Sequence, residues 1–157
     1  MPPLAKEVSM LELVVTRFIK APPEKVWDAM VNRIGEWFCP QPWRAEPGVQ
    51  ERRPGGRAEM TMFGPNGEEM PQNGTYLAWD EGRRFAMTDA IVGDLEPAGP
   101  FMIGIWDVAA DTQDGVPGTL YTARARHWTE EALKQHEAMG FEAGWGLAAD
   151  QLAALCE

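Results

Sequence analysis

From Trp43 to Trp128 the chain is cut by clusters of Gly, Pro, Asn and Asp at such short intervals that no helix of useful length fits. The runs between those clusters favour strands, so this stretch is expected to fold as an antiparallel meander. Candidate strands are Trp43 to Gln50, Gly56 to Phe63, Gly74 to Trp79, Arg83 to Ala90, Phe101 to Ala110 and Thr119 to Trp128. Ala58, Met60 and Met62 alternate with Arg57, Glu59 and Thr61, which gives one strand an apolar and a polar face. In the last strand Tyr121, Ala123, Ala125 and His127 share one face, and Leu120, Thr122, Arg124 and Arg126 the other. Pro54-Gly-Gly and Gly64-Pro-Asn-Gly read as turns, Asp111 to Gly118 as a connection, and Gly93 to Pro100 as a mobile loop.

The flanks have a different texture. Leu11 to Lys20 is rich in β-branched residues and reads as a first strand. Ala21-Pro-Pro-Glu then places Pro at a helix start, with Val26, Trp27 and Met30 at helical spacing. A second short helical segment is expected over residues 32–38, ending at Cys39-Pro40. At the other end Thr129-Glu-Glu supplies an N-cap and first-turn acids for a long helix. Leu133, Phe141, Trp145, Ala148, Leu152 and Leu155 form its apolar stripe. Gly140, Gly144 and Gly146 interrupt it at roughly 1 kcal/mol each against Ala, a cost that close packing on the sheet or room left for a ligand would explain. A strand, two short helices, a run of strands and a long terminal helix make a single α+β domain over residues 1–157, with residues 1–9 a flexible leader.

Charge and composition narrow the partners. The 24 acidic and 14 basic residues leave a net charge of -10, which repels a phosphate backbone and argues against nucleic acid as a partner. No apolar run is long enough to span a bilayer, and Met1 to Glu7 has no basic stretch followed by an apolar block, so a cytoplasmic protein is expected. Cys39 and Cys156 stand far apart, outside any CxxC or Cys/His ligand spacing, so neither a disulfide framework nor a metal site is expected. Seven Trp and nine Met in so short a chain suit an adjustable, aromatic-walled cavity.

Catalytic chemistry finds little to use. His127 and His136 are the only side chains that titrate near neutrality unperturbed, and the two are placed to face each other at one mouth of the sheet–helix interface. Asp107, Glu59 and Glu137 are the acids available as partners. Ser9 lies in the leader, no GxSxG elbow is present, and Cys39 has no evident His and acid beside it. Arg53-Pro-Gly-Gly-Arg57 joins two strands and opens no helix, so it is not a phosphate loop. No cofactor is expected.

Several segments in order resemble a known group. They are Ile19-Lys-Ala-Pro-Pro-Glu-Lys-Val-Trp-Asp-Ala, Glu36-Trp-Phe-Cys-Pro-Gln-Pro-Trp43, Arg53-Pro-Gly-Gly-Arg57, Asn73-Gly-Thr-Tyr76, Arg124-Ala-Arg-His-Trp-Thr129, His136-Glu-Ala-Met-Gly-Phe-Glu-Ala-Gly-Trp-Gly146 and Gln151-Leu. Together they resemble the START-like (SRPBCC) superfamily, in its bacterial branch related to the C-terminal domain of the activator of heat shock protein 90 ATPase. The resemblance implies the helix-grip fold, a curved antiparallel sheet wrapped around the long C-terminal helix. It leaves function open, because the fold serves carriers, cyclases and a co-chaperone alike.

The candidate binding set is Trp37, Phe38 and Trp43 after the short helices, Met60, Met62, Tyr76, Met87, Phe101, Trp106 and His127 in the strands, and Phe141 and Trp145 in the terminal helix. Arg124 and Arg126 are added as groups able to orient a carboxylate if the pleat turns them inward. Three functions stand side by side. The first is binding of a small hydrophobic or aromatic molecule. The second is a polyketide cyclase or aromatase-like reaction using His127 or His136. The third is a chaperone-associated interaction with a protein partner.

Overall fold

The computed structural model describes residues 11–157, so the leader expected over residues 1–9 lies outside them. β1 (Glu12–Ile19) is followed by α1 (Pro23–Asn32) and the single turn α2 (Ile34–Trp37). Pro23 opens α1 where its missing N–H costs nothing, and Val26, Trp27, Met30 and Val31 form the buried stripe. The meander then runs β2 (Arg44–Gln50), β3 (Arg57–Phe63), β4 (Glu69–Asp80), β5 (Arg84–Thr88), β6 (Ile91–Val92), β7 (Glu96–Pro97), β8 (Ile103–Gln113) and β9 (Val116–Arg126). α3 (Glu130–Ala138) and α4 (Phe141–Cys156) complete the described chain.

Seven strands form one antiparallel sheet in the order β1-β9-β8-β5-β4-β3-β2. The first strand therefore pairs with the last, while α1 and α4 pack together against one face. This is the helix-grip arrangement. Tyr121, Ala123 and Ala125 of β9 point inward as the alternation requires, each 1% exposed or less. Arg124 and Arg126 point outward, where both pair with Glu12 at 3.5 and 3.0 Å.

Three segments depart from expectation, each for a local reason. β4 starts at Glu69, because residues 69–74 pair only with β3 and leave their other edge open. Pro71 is tolerated there, since its missing N–H would face no partner strand. Residues 111–118 are not a loop: Asp114 and Gly115, with φ of 51° and 77°, make the two-residue hairpin turn that carries β8 straight into β9. Residues 93–100, expected as a mobile loop, supply the turn and second strand of the short β6–β7 hairpin, whose first strand is anchored by Thr75 donating to the Ile91 carbonyl at 2.7 Å.

The expected single terminal helix is two helices. Gly140 sits at φ 92° in the left-handed region, ending α3 and serving as N-cap of α4. Close packing does not account for the other two glycines. A Cβ on Gly146 would meet nothing within 4 Å, and one on Gly144 only the Pro40 ring at 3.7 Å. Gly140→Ala should therefore cost about 1 kcal/mol through left-handed strain, and Gly146→Ala should gain up to about 1 kcal/mol from helix propensity. Urea denaturation checks both signs; a destabilised Gly146→Ala variant would mean that the glycine is held by contacts absent from this packing.

Candidate functional site

The inner face of the sheet carries a ladder of rings. Phe85 lies opposite both Trp79 and Trp106 in register, and stacks on them with centroids 5.4 and 5.2 Å away. Trp106 stacks in turn on Trp145 of α4 at 5.5 Å and 13°. Gly104 makes this possible, since a Cβ there would stand 2.4 Å from the Trp106 ring. Phe141 packs beside Trp145 at 4.6 Å, carrying the ladder from β4 across the sheet and onto the helix. Each such pair adds about 0.5–1.5 kcal/mol beyond burial. The ladder is anchored at its far end by Glu81, whose carboxylate accepts from the indoles of Trp27 and Trp79 at 2.7 and 2.9 Å.

Beside this ladder, between the sheet and α4, lies a cavity of about 650 Å³. Trp37, Phe38 and Trp43 wall one side, Met60, Met62, Met87 and Trp106 the sheet side, and Phe101, Phe141 and Trp145 the end near α3. Tyr76 and His127, also expected in the set, do not line it. Tyr76 is packed against Trp79 and Phe85 with its hydroxyl donating to Gln50, and burial pushes its pKa up to about 12. His127 sits behind His136. The outward Arg124 and Arg126 are likewise absent from the lining, and Asp107 faces Arg124 at 3.9 Å.

The segment 37–41, which carries much of one wall, is pinned by Gln151 of α4. Its amide donates to the carbonyls of Trp37 and Cys39 at 3.0 and 2.9 Å, and its oxygen accepts from Gln41 N–H at 2.9 Å. Met70, Gln72, Asn73, Asp89, Met102 and Met139 also line the cavity and were not anticipated. The first three lie on the part of β4 hidden by Pro71; alternation from Gly74 backwards would have placed Gln72 and Met70 inward with Met60 and Met62, their cross-strand partners. Asp89 is held in its loop by accepting from the Phe101 and Met102 amides at 2.8 and 3.2 Å.

His136 is the one buried side chain of α3, and its Nδ1 lies 2.9 Å from Nε2 of His127. Phe101, Phe141 and Trp145 surround the His136 ring at 4.9, 5.1 and 5.8 Å. Burial and then the neighbouring His127 push the His136 pKa down to about 4, and burial also lowers that of His127. The pair is therefore neutral at pH 7, one ring donating and the other accepting. Cys39 touches the cavity too, but burial raises its thiol pKa, which keeps it protonated. Among the described residues no group of three or more His, Cys, Asp or Glu side chains converges on a metal position, and no helix is long and apolar enough to cross a membrane.

The unfolded chain takes up a proton on His136 near pH 6.5, whereas the folded chain resists until about pH 4. Between those values the unfolded state binds more protons, so stability falls as the pH is lowered through the window. The loss at this site is on the order of 3 kcal/mol. Urea midpoints measured from pH 7 to 4 should decline less steeply for His136→Phe than for the unaltered protein; parallel declines would show that the folded pair protonates as freely as the unfolded chain.

Residues 20–157 match the family described as activator of Hsp90 ATPase homolog 1-like protein. No curated protein matches the chain. Among solved structures, a protein from Nitrosomonas europaea is 34% identical with a TM-score of 0.82, over 92% of this chain and 93% of that one. A Mycobacterium smegmatis protein is 27% identical with a TM-score of 0.75, over 94% and 92%. A third, from Arthrobacter aurescens, at 20% identity and TM-score 0.76 over 94% and 87%, shares the fold. With the helix-grip architecture and a family match over nearly its whole length, the chain belongs to the activator of Hsp90 ATPase homolog 1-like family of START-like proteins.

Proposed function

We propose that this protein binds a small hydrophobic or aromatic molecule in the cavity between the sheet and α4. The observation that carries this reading is a space of about 650 Å³ left open in the middle of the fold, walled by Trp, Phe and Met. Interiors close-pack, so a void of this size, within the range of ligand pockets, has a reason to be kept. The methionines give the walls adaptability, because an unbranched thioether repacks at low cost.

The cyclase-like reading has less support. It needs a group that takes or gives a proton near neutral pH, and burial holds back the charging of His136 until about pH 4. The imidazole's close polar partner is a second imidazole, with no carboxylate in the pair to raise its basicity. The family name points to chaperone association, and a protein partner is compatible with an apolar cavity that serves a separate purpose.

A thermal-shift and tryptophan-fluorescence screen tests the binding reading. One class of uncharged apolar compounds should raise the melting temperature and quench Trp106 and Trp145 to saturation. Met60→Trp, which fills the cavity from the sheet side, should abolish that response while retaining the fold. Absence of saturable binding from every class, or undiminished binding by Met60→Trp, would contradict it.

A further inference from the structure

The cavity combines an unusual lack of charge with one unsatisfied polar feature. Among the described residues no Lys or Arg lines it, and Asp89 is its single carboxylate, already engaged by two backbone amides. Arg124 and Arg126 of β9 are turned to the opposite face and paired with Glu12. A ligand carboxylate or phosphate would therefore enter without a countercharge, which burial penalises heavily. An uncharged ligand meets no such penalty.

The polar feature is His136. The residue is 7% exposed and lines the cavity, with Nδ1 taken up by His127. With Nδ1 held by His127, Nε2 is the ring nitrogen of this cavity-lining residue that has no hydrogen-bond partner among the described residues. Behind it, Nδ1 of His127 is buried with no well-formed hydrogen bond among the described residues, the Leu11 backbone being the polar group beside that ring. A buried polar nitrogen calls for a hydrogen-bond partner.

Because the two rings share one hydrogen bond, their tautomers are linked. When Nε2–H of His127 donates to Nδ1 of His136, Nε2 of His136 carries a hydrogen and donates into the cavity. When the bond runs the other way, the same Nε2 is a bare acceptor. The pair thus adapts to a carbonyl or a hydroxyl without a net change of charge. Phe101, Phe141 and Trp145 around the imidazole fit a ring that carries such an oxygen.

We propose that the His127–His136 pair is a polar anchor which, through Nε2 of His136, recognises a hydroxyl or carbonyl oxygen on an uncharged aromatic ligand. The proposal rests on the reading of the cavity as a binding site and adds the chemical class of what it takes.

Hydroxypyrene, methylpyrene and pyrene carboxylate share one skeleton and differ at one substituent, and energy transfer from tryptophan reports their binding. Hydroxypyrene should bind about tenfold tighter than methylpyrene, the worth of one buried hydrogen bond. The carboxylate should bind on the order of a hundredfold more weakly than methylpyrene, for want of a countercharge. His136→Phe should bring hydroxypyrene down to the affinity of methylpyrene while leaving methylpyrene within about threefold of its original value. If that variant does not fold, ring nitrogen-15 shifts of the unaltered protein serve instead: Nε2 of His136 should move with hydroxypyrene and stay with methylpyrene. Equal binding of the hydroxyl and methyl probes, an unmoved Nε2, or tightest binding of the carboxylate overturns the anchor while leaving the cavity reading intact. Failure of all three probes to bind overturns both.

Discussion

The stacked contact between Trp106 of β8 and Trp145 of α4 sets the spacing between the sheet and the helix it grips. On the C-terminal side of that contact, the small or buried Ala149, Leu152 and Ala153 let the helix pack directly against α1 and the sheet. On the other side Phe141 and Trp145 act as props, and Gly144, which lines the cavity, supplies no side chain to fill the space. The cavity follows from this asymmetry in residue size along one helix.

Its walls depend on the same contact. The stack continues through Phe85 to Trp79, whose indole, with that of Trp27, is tied to Glu81, so the ladder links α1, three strands and α4. Gln151, one helical turn beyond Ala148, holds the opposite wall by three hydrogen bonds to the segment 37–41. Rigid aromatics thus surround the methionines of β3, β4 and β5, which leaves the adaptable surface facing the cavity. Neutral His136 at the α3 end, backed by His127, completes a lining with almost no charge.

Much of this architecture was legible in the sequence. Alternation in β3 and the stripe in α4 identify inner faces, and on that ground Met60, Met62, Phe141 and Trp145 are found at the cavity wall, whereas the anticipated Tyr76 and His127 are not. Those two do point inward, but alternation specifies a face and not a depth, and both lie behind other rings. Met70, Gln72 and Asn73 were missed because Pro71 reads as a strand breaker unless one knows that its strand has an open edge there. The division of the terminal helix was signalled by Gly140 after the basic last turn at His136, but the apolar stripe, continuous across it, masked the break. The hydrogen bond between the two histidines has no local signal, since it depends on the angle at which α3 leaves β9.

The most direct test of the account is the methyl spectrum of methionine-labelled protein titrated with a bound aromatic probe. The account requires the methyls of Met60, Met62 and Met87 to shift and to show cross-relaxation to the probe, while Met30, sealed in the core away from the cavity, stays unchanged. Unchanged methyls at Met60, Met62 and Met87 at a saturating concentration of the probe would contradict it by showing that the space between sheet and helix takes no ligand.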